Sequence, residues 1–467
     1  MSYFFRYILV PNLIFGIFSA IATSSRALIN LDYCLVGLCS PIIGRYWAAA
    51  MYLVFFILDL LAAFAPTYHL RPMIILTIFR ELSAFKPAAL ALLLVLVVAP
   101  LLGMWYLTFK RETASPPKAS FRGRSVLVIV PICFILLDIM NGSNGLVRWG
   151  DVTHFSYNIA GSALVKVSRD VKATLTRQKI PPKKLGQMEY ATSGVHADLI
   201  ADTLKPQHIV LVIVESWGLS SDPALNQALV APLIDPKLSS RYQVRHTTIP
   251  FHGATVSAEL RELYARQASD PDDVLSESSL PALLAAKSYE TISLHGFMSM
   301  FFGRNEWYPQ AGFRSSLFID DIDKLLPSHE RCGSANFRGI CDDKMPSLIK
   351  QLLISSEGAT PTVPKFIYWL TLNSHYPYAV PDHPSSFACQ SFDLSSRYQD
   401  VCNLSGTLYS TFSALGSLIA DPDIPPTRFI IVGDHSPPFL MRSKEGLYNR
   451  QFVPMVEIIP KVLESKR

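Results

Sequence analysis

Residues 208–218 read HIVLVIVESWG. After His208 comes an unbroken run of six apolar residues, five of them β-branched. That run is too short for a core helix and fits a strand buried on both faces. Similar runs stand at 291–294, 366–371 (FIYWLT) and 428–432 (RFIIV). Helical stretches such as 258–267 and 345–354 lie between them. Strands alternating with helices predict an α/β sandwich with a mostly parallel central sheet over 206–467.

Upstream, the composition changes. The whole chain of 467 residues is 50% hydrophobic and 17% charged, with mean hydropathy +0.27. Ordinary soluble domains carry about 25% charged residues. The apolar excess lies before residue 142, at 7–23, 46–65, 87–109 and 125–140. A run of about 20 residues spans a bilayer as a helix. The stretch 27–44 holds Asn30, Asp32 and Pro41 and reads as a fifth span or a re-entrant piece. With more spans following, 7–23 reads as a first span, not a cleaved signal. Residues 1–141 are thus expected to be an α-helical membrane domain of about five spans. The loop 110–124 has five basic residues and one acid, which places it in the cytoplasm and everything after 141 outside. Asp32, Asp59 and Asp138 lie in or near these runs and are expected to pair with Arg26, Arg45 or backbone, or with a lipid headgroup.

The segment 142–205 is expected to be a juxtamembrane helix and linker. Ile159, Ala163, Val167, Val171 and Leu175 recur every fourth residue, one face of a helix over 146–178. Membrane-surface and domain-packed readings fit it equally. The stretch 179–205, opening KIPPKKLGQ, reads as linker. A net charge of +5 gives no reason to expect a nucleic-acid partner. Of seven cysteines, Cys332, Cys341, Cys389 and Cys402 fall in the exported half. Nearest-neighbour pairing closes short loops, and an oxidising exterior favours it over a zinc tetrad, which lacks Cys-x-x-Cys spacing.

In open α/β sheets, ligands gather beyond the carboxyl ends of strands. Glu215 follows the first strand, His375 (LNSHYPY) the third, and Asp434 with His435 (GDHSPPF) the last. Two carboxylates and two imidazoles so converge on one edge, a mixed O/N donor set suited to Zn or Mn. In FHGATVSAELRELYAR, 251–266, Gly253 precedes Thr255 at the start of a helix. A hydroxyl there can serve as an N-cap, with Glu259 supporting the first turn, or sit where helix N–H groups hold a phosphate.

ESWG, GATVSAE and GDH, in this order after several spans, resemble the lipoteichoic-acid synthase and phosphoethanolamine/phosphoglycerol transferase family. That family belongs to the alkaline-phosphatase/sulfatase-like superfamily, and the resemblance covers about 206–440. It implies that Glu215, Thr255, Asp434 and His435 bind one catalytic metal of one or two divalent ions, and that Thr255 is the nucleophile. It implies that His375 holds phosphate or a second metal. It further implies that Arg304 and Trp307 in FFGRNEWYP contact phosphate and headgroup, although here Trp follows Arg where the synthases have W-x-R. The expected partners are a membrane phospholipid donor and a glycan or glycolipid acceptor, and the expected location is a bacterial inner membrane. ESWG and GATVSAE look more like the glycerol-phosphate branch, and the two expected disulfides more like the phosphoethanolamine branch.

Three rival functions stand beside this one. A sulfatase needs Cys or Ser in C/S-x-P-x-R, and the nearest match, CSPII at Cys39, lies in an apolar segment. A phosphatase or phosphodiesterase would use water as acceptor. A transporter or sensor would have a metal-free binding ectodomain.

Overall fold

A computed structural model describes residues 181–461 apart from 327–329, 335–336, 355–362, 379, 383–385 and 440–445. Of the first 180 residues it describes 29–43, 45–67, 146–149, 157–175 and isolated positions at 10, 12–13, 132–133 and 135–136. The chain divides into two units, Met1–Gln178 and Lys179–Arg467.

In the first unit, helices Leu31–Ile43 and Arg45–Thr67 cover the runs 27–44 and 46–65. The predicted spans 7–23, 87–109 and 125–140, the basic loop 110–124 and Asp138 lie outside the description, apart from a few isolated positions. Among the described residues no helix is long and apolar enough to cross a membrane. The expected helix over 146–178 is corrected. Leu146–Trp149 and Tyr157–Gly161 are antiparallel strands, and the helix is only Ala163–Leu175. Ile159 therefore sits in a strand. The start of the helix is fixed by Asp32, which accepts from Ser162 Oγ at 2.7 Å and Leu164 N at 3.0 Å. Asp59 accepts from the Tyr33 hydroxyl at 3.0 Å. Both carboxylates have internal partners, and one of those of Asp32 is backbone, as expected.

The second unit is built on a seven-stranded sheet. Its strands are β1 (His208–Val214), β2 (Tyr242–Pro250), β3 (Glu290–His295), β4 (Ser315–Leu317), β5 (Lys365–Leu370), β6 (Thr427–Gly433) and β7 (Phe452–Pro460). Their order across the sheet is β2-β7-β6-β1-β5-β3-β4. The sheet is mixed: β6, β1, β5, β3 and β4 pair parallel, while β7 runs antiparallel to β6 and β2.

All of β1 is buried because it is central and covered on both faces. Val210, Val212 and Val214 enter one core with Leu408, Phe412 and Leu415 of helix Gln399–Ala420. Ile209, Leu211 and Ile213 enter the opposite core with Val256, Leu260 and Leu263 of helix Thr255–Tyr264. The two-residue period of a strand thus becomes an α/β/α sandwich. Register aligns the strand ends: Gly433 lies beside Val214, and Leu370 beside Ile213 and His295. Whatever follows these strands emerges at one edge.

The linker expectation for 179–205 is also corrected. Lys183–Lys184 pairs antiparallel with Arg266–Gln267, and Ser193–Ile200 is a helix. Ala191 and Val195 enter the core, and Thr192 donates from N and Oγ1 to Glu262. The prolines and lysines of the opening mask the apolar residues behind them.

Disulfides join Cys332 to Cys341 and Cys389 to Cys402, with Cα separations of 4.8 and 5.5 Å. Replacing Cys332 and Cys341 together by Ser is expected to lower stability by roughly 2–4 kcal/mol in the chain-entropy account. A thermal melt of the full chain with and without reductant measures it.

Candidate active site

Glu215 leaves β1 and is buried. Its Oε2 accepts the Thr255 hydroxyl at 3.0 Å, and its Oε1 accepts the Ser216 hydroxyl at 3.0 Å. Its backbone N–H donates to Thr371 Oγ1, and its carbonyl accepts from Ser374 Oγ at 2.6 Å, so the loop after β5 clasps it. Ser216 turns the chain in the left-handed region at φ 55°, which aims its N–H at Asp434 Oδ1, 2.7 Å away.

Thr255 opens the helix Thr255–Tyr264, and the N-cap is Ala254, with no side-chain cap bond. The capping reading of Thr255 is therefore replaced: its hydroxyl is turned to Glu215. Gly253 allows this approach at φ +73°, and a Cβ there would stand 2.5 Å from Ser257 Oγ.

Past β6, Asp434 Oδ1 accepts from the Ser216 and His435 amides. Its Oδ2 is buried without a hydrogen-bond partner, 3.2 Å from His435 Nε2. His435 Nδ1–H donates to Ser436 O at 2.9 Å, which turns Nε2 to the two carboxylates. Burial lowers this imidazole, but the Asp434 and Glu215 carboxylates outweigh it and raise it. His435 Nε2 is also 3.5 Å from Glu215 Oε1 and 3.5 Å from Thr255 Oγ1. Burial, and then the Glu215 carboxylate, push the Asp434 carboxyl up to about 8. Burial would also raise Glu215, but the His375 and His435 imidazoles and the hydroxyl hydrogen bonds outweigh it and hold that carboxyl low.

These observations fit a cation. Glu215, Asp434 and His435 each offer a donor atom within 4.8 Å of the others. Tetrahedral ligands at zinc-type bond lengths of about 2.0–2.1 Å stand about 3.3 Å apart, close to the separations seen here. Calcium, with six to eight oxygen ligands, fits the mixed set poorly.

His375 lies in the loop after β5, its ring centroid 3.8 Å from that of Phe337 and its Nδ1 held by Tyr376 O. It is near enough to Glu215 to lower that carboxyl, and its own burial depresses the imidazole.

Arg304 and Trp307 are placed differently from expectation. Arg304 is fully buried: its Nε and Nη2 reach Glu259, the latter at 2.7 Å, and its Nη1 reaches Phe301 O. Glu259 also accepts from the Tyr308 and Tyr368 hydroxyls at 2.5 and 2.9 Å. It is a core anion, not a first-turn support, and Arg304 is its counter-ion. Trp307 packs in the core beside Tyr308 with its Nε1 unpartnered. Replacing Arg304 by Ala strands a buried carboxylate and is expected to cost about 3–5 kcal/mol. Urea denaturation of the full chain checks this, with Arg304→Lys recovering part of the loss.

Three supporting features escaped the sequence reading. Arg261, paired with Glu262 at 2.6 Å, donates to Gly433 O at 2.9 Å and holds the end of β6 that carries Asp434. Asp342, next to Cys341, accepts from the Leu372 and Asn373 amides and so fixes the loop of His375. The Cys332–Cys341 pair, remote from the site in sequence, thereby braces it. His295 ends β3, buried, with Nδ1 on Leu370 O and Nε2 unpartnered. The signal for it was the end of the second run, 291–294, whose next residue is His295.

A donor set for a divalent ion and a helix-borne hydroxyl, both at the carboxyl edge of an α/β/α sheet, define a metal-dependent enzyme of the transferase or hydrolase kind. Residues 207–458, more than half of the chain, match the family model described as Sulfatase. The chain belongs to this family, within the alkaline-phosphatase-like superfamily. No curated protein matches it significantly. Among solved structures it is similar to the integral membrane protein lipooligosaccharide phosphoethanolamine transferase A of Neisseria meningitidis, at 12% identity and TM-score 0.46, over 92% of this chain and 80% of that one. It is similar to the lipoteichoic acid synthase LtaP of Listeria monocytogenes, at 15% and 0.43, over 56% and 67%. It is also similar to the phosphoglycerol transferase GacH of Streptococcus pyogenes, at 14% and 0.37, over 59% and 77%.

Proposed function

We propose that the chain moves a phospholipid headgroup, phosphoethanolamine or phosphoglycerol, onto a hydroxyl of a cell-envelope glycan or glycolipid through a phosphorylated Thr255. The observation that carries this reading is the Thr255 hydroxyl, freed from capping and hydrogen-bonded to Glu215 beside Asp434 Oδ2 and His435 Nε2. A sulfatase would need a formylglycine precursor here, and the position holds threonine in GATVS.

Glu215, Thr255, Asp434 and His435 would hold one Zn or Mn ion. When bound, it supplies Lewis acidity that favours the threonine alkoxide and offsets charge on the phosphoryl oxygens. Glu215 Oε2 orients the hydroxyl and receives its hydrogen bond. Thr255 Oγ forms a bond to the donor phosphorus as the bond to the diacylglycerol oxygen breaks, and the proton lost by the Thr255 hydroxyl passes to that oxygen, so diacylglycerol leaves as the neutral alcohol. The helix N-terminus lends its amide dipoles to the phosphoryl group. His375 is proposed to hold that group from the loop after β5, with Arg304 as a positioning residue through Glu259. An acceptor hydroxyl then displaces Thr255.

A location of the catalytic unit outside a bacterial inner membrane is supported by the basic sequence of 110–124 and by the two disulfides. The reading is tested by incubating the detergent-solubilised full chain with phosphatidylethanolamine or phosphatidylglycerol and measuring diacylglycerol release with and without an acceptor. Acceptor-dependent release supports transfer. Full release to water alone supports a hydrolase.

A further inference from the structure

Three buried polar side chains, Thr192, Arg261 and Glu262, form a run of hydrogen bonds that ends on the backbone of Asp434. Thr192 precedes the helix Ser193–Ile200, in the first stretch of the catalytic unit. Its N–H donates to Glu262 Oε2 at 2.9 Å, and its hydroxyl to the Glu262 carbonyl at 2.7 Å. Glu262 Oε1 accepts from Arg261 Nε at 2.6 Å. Arg261 Nη2 then donates to the Gly433 carbonyl at 2.9 Å, and Nη1 reaches the Asp434 carbonyl at 3.5 Å. On its other side Asp434 is held through its N–H, which donates to Val214 O at 3.1 Å.

A buried guanidinium needs its charge met and its N–H groups satisfied. Glu262 meets the charge, and the carbonyls at the end of β6 take the donors that remain. Thr255 stands six residues before Arg261 on the same helix, about 9 Å along its axis. One side chain therefore ties the helix of the proposed nucleophile to the strand that delivers Asp434. The stretch 183–200 fixes the far end of that helix as well. Leu185 N–H donates to Ala265 O at 3.0 Å, and Lys183–Lys184 pairs with Arg266–Gln267. Metal–ligand distances tolerate only about ±0.2 Å, so a small shift of the Asp434 backbone is felt as lost affinity.

We propose that Thr192, Glu262 and Arg261 are positioning residues for the metal site. Through them the stretch 183–200 sets where the Asp434 carboxylate stands, and so how tightly a divalent ion is held. The inference rests on the metal-dependent reading of the site above.

The test compares the full-length protein with Arg261→Lys, Thr192→Val and Arg428→Lys. Lysine keeps a charge beside Glu262 but lacks the planar fork that also reaches the Gly433 and Asp434 carbonyls. Valine removes only the Thr192 hydroxyl and leaves its N–H on Glu262. Arg428→Lys is the control. Arg428 is likewise buried and paired, with Glu457, but it lies at the amino end of β6, about 20 Å from Asp434 along the strand. Two quantities are read: affinity for Zn and for Mn against a competing chelator, and amide hydrogen exchange of residues 433–436 in the metal-stripped protein. Arg261→Lys is expected to weaken binding of the preferred ion by roughly 10–100-fold and to speed exchange at Asp434 and His435. Thr192→Val is expected to move both in the same direction by less, and it carries the test if Arg261→Lys does not fold. Arg428→Lys should lower the melting temperature and leave both quantities as in the wild type. Wild-type affinity in Arg261→Lys, or an equal loss in Arg428→Lys, overturns the positioning role. Thr192→Val unchanged in both quantities overturns the part assigned to 183–200. A wild type that binds neither ion overturns the metal reading itself, and this proposal with it.

Discussion

Thr255→Ala in the full-length chain is expected to reduce headgroup transfer by roughly 10⁴-fold or more, the scale on which removing a covalent nucleophile acts. The same change should leave the fold nearly intact. Ala254, not Thr255, is the N-cap, so what is lost is the hydroxyl's bond to Glu215 and its longer contact with His435. A single hydrogen bond is worth about 1 kcal/mol net. A structural residue would show the opposite pattern, with stability lost and activity per folded molecule kept. Thr255→Ser retains a hydroxyl at the same helix position and should restore measurable transfer. Diacylglycerol release, normalised to folded protein, distinguishes these outcomes.

The second large effect concerns the metal. Elemental analysis of the purified full chain is expected to find a tightly held divalent ion, Zn or Mn, in the catalytic unit. Asp434→Asn and Glu215→Gln should lose it, with affinity falling by more than the roughly 10–100-fold that a supporting residue costs. The electrostatics give a second readout. Burial and the neighbouring Glu215 carboxylate raise the Asp434 carboxyl to about 8, so at neutral pH the site without its ion takes up a proton, at a cost to the folded state. Chelation should therefore lower the melting temperature of the wild type, while Asp434→Asn, with no carboxyl to titrate and no ion to lose, should hardly respond. A metal-free protein with full activity in chelator would contradict the assignment.

The residues read most securely from the sequence were those whose local pattern equals their structural role. HIVLVIV is a central strand because a run apolar at both parities has to be covered on both faces, and ESWG follows because strand ends deliver ligands. Strand β2, at the edge of the sheet, and β7 beside it were missed. YQVRHTTIP is largely exposed, and FVPMVEIIP is interrupted by proline, so neither shows a clean period. The helix Thr255–Tyr264 carries Glu259, Arg261 and Glu262, yet all ten of its residues are buried. Its charges are neutralised by partners that no local pattern reveals: Glu259 by Arg304, 45 residues away, and Arg261 by the carbonyl of Gly433 as well as by adjacent Glu262. For the same reason Arg304 and Trp307, chosen by their place in a motif, turn out to be core residues. Ile159 fits a four-residue period, but Tyr157–Gly161 pairs as a strand with Leu146–Trp149, and cross-strand pairing outweighs a helical period one residue long at its edge.

The central claim is that Thr255 carries the headgroup between donor and acceptor. It is tested most directly by peptide mass spectrometry of the full-length protein after exposure to phosphatidylethanolamine and phosphatidylglycerol without acceptor. The account predicts an adduct on Thr255 with the mass of phosphoethanolamine or phosphoglycerol, whichever the enzyme moves, absent from Thr255→Ala and Asp434→Asn. Diacylglycerol release at full rate with Thr255 unmodified throughout, or with the adduct on another residue, would contradict it.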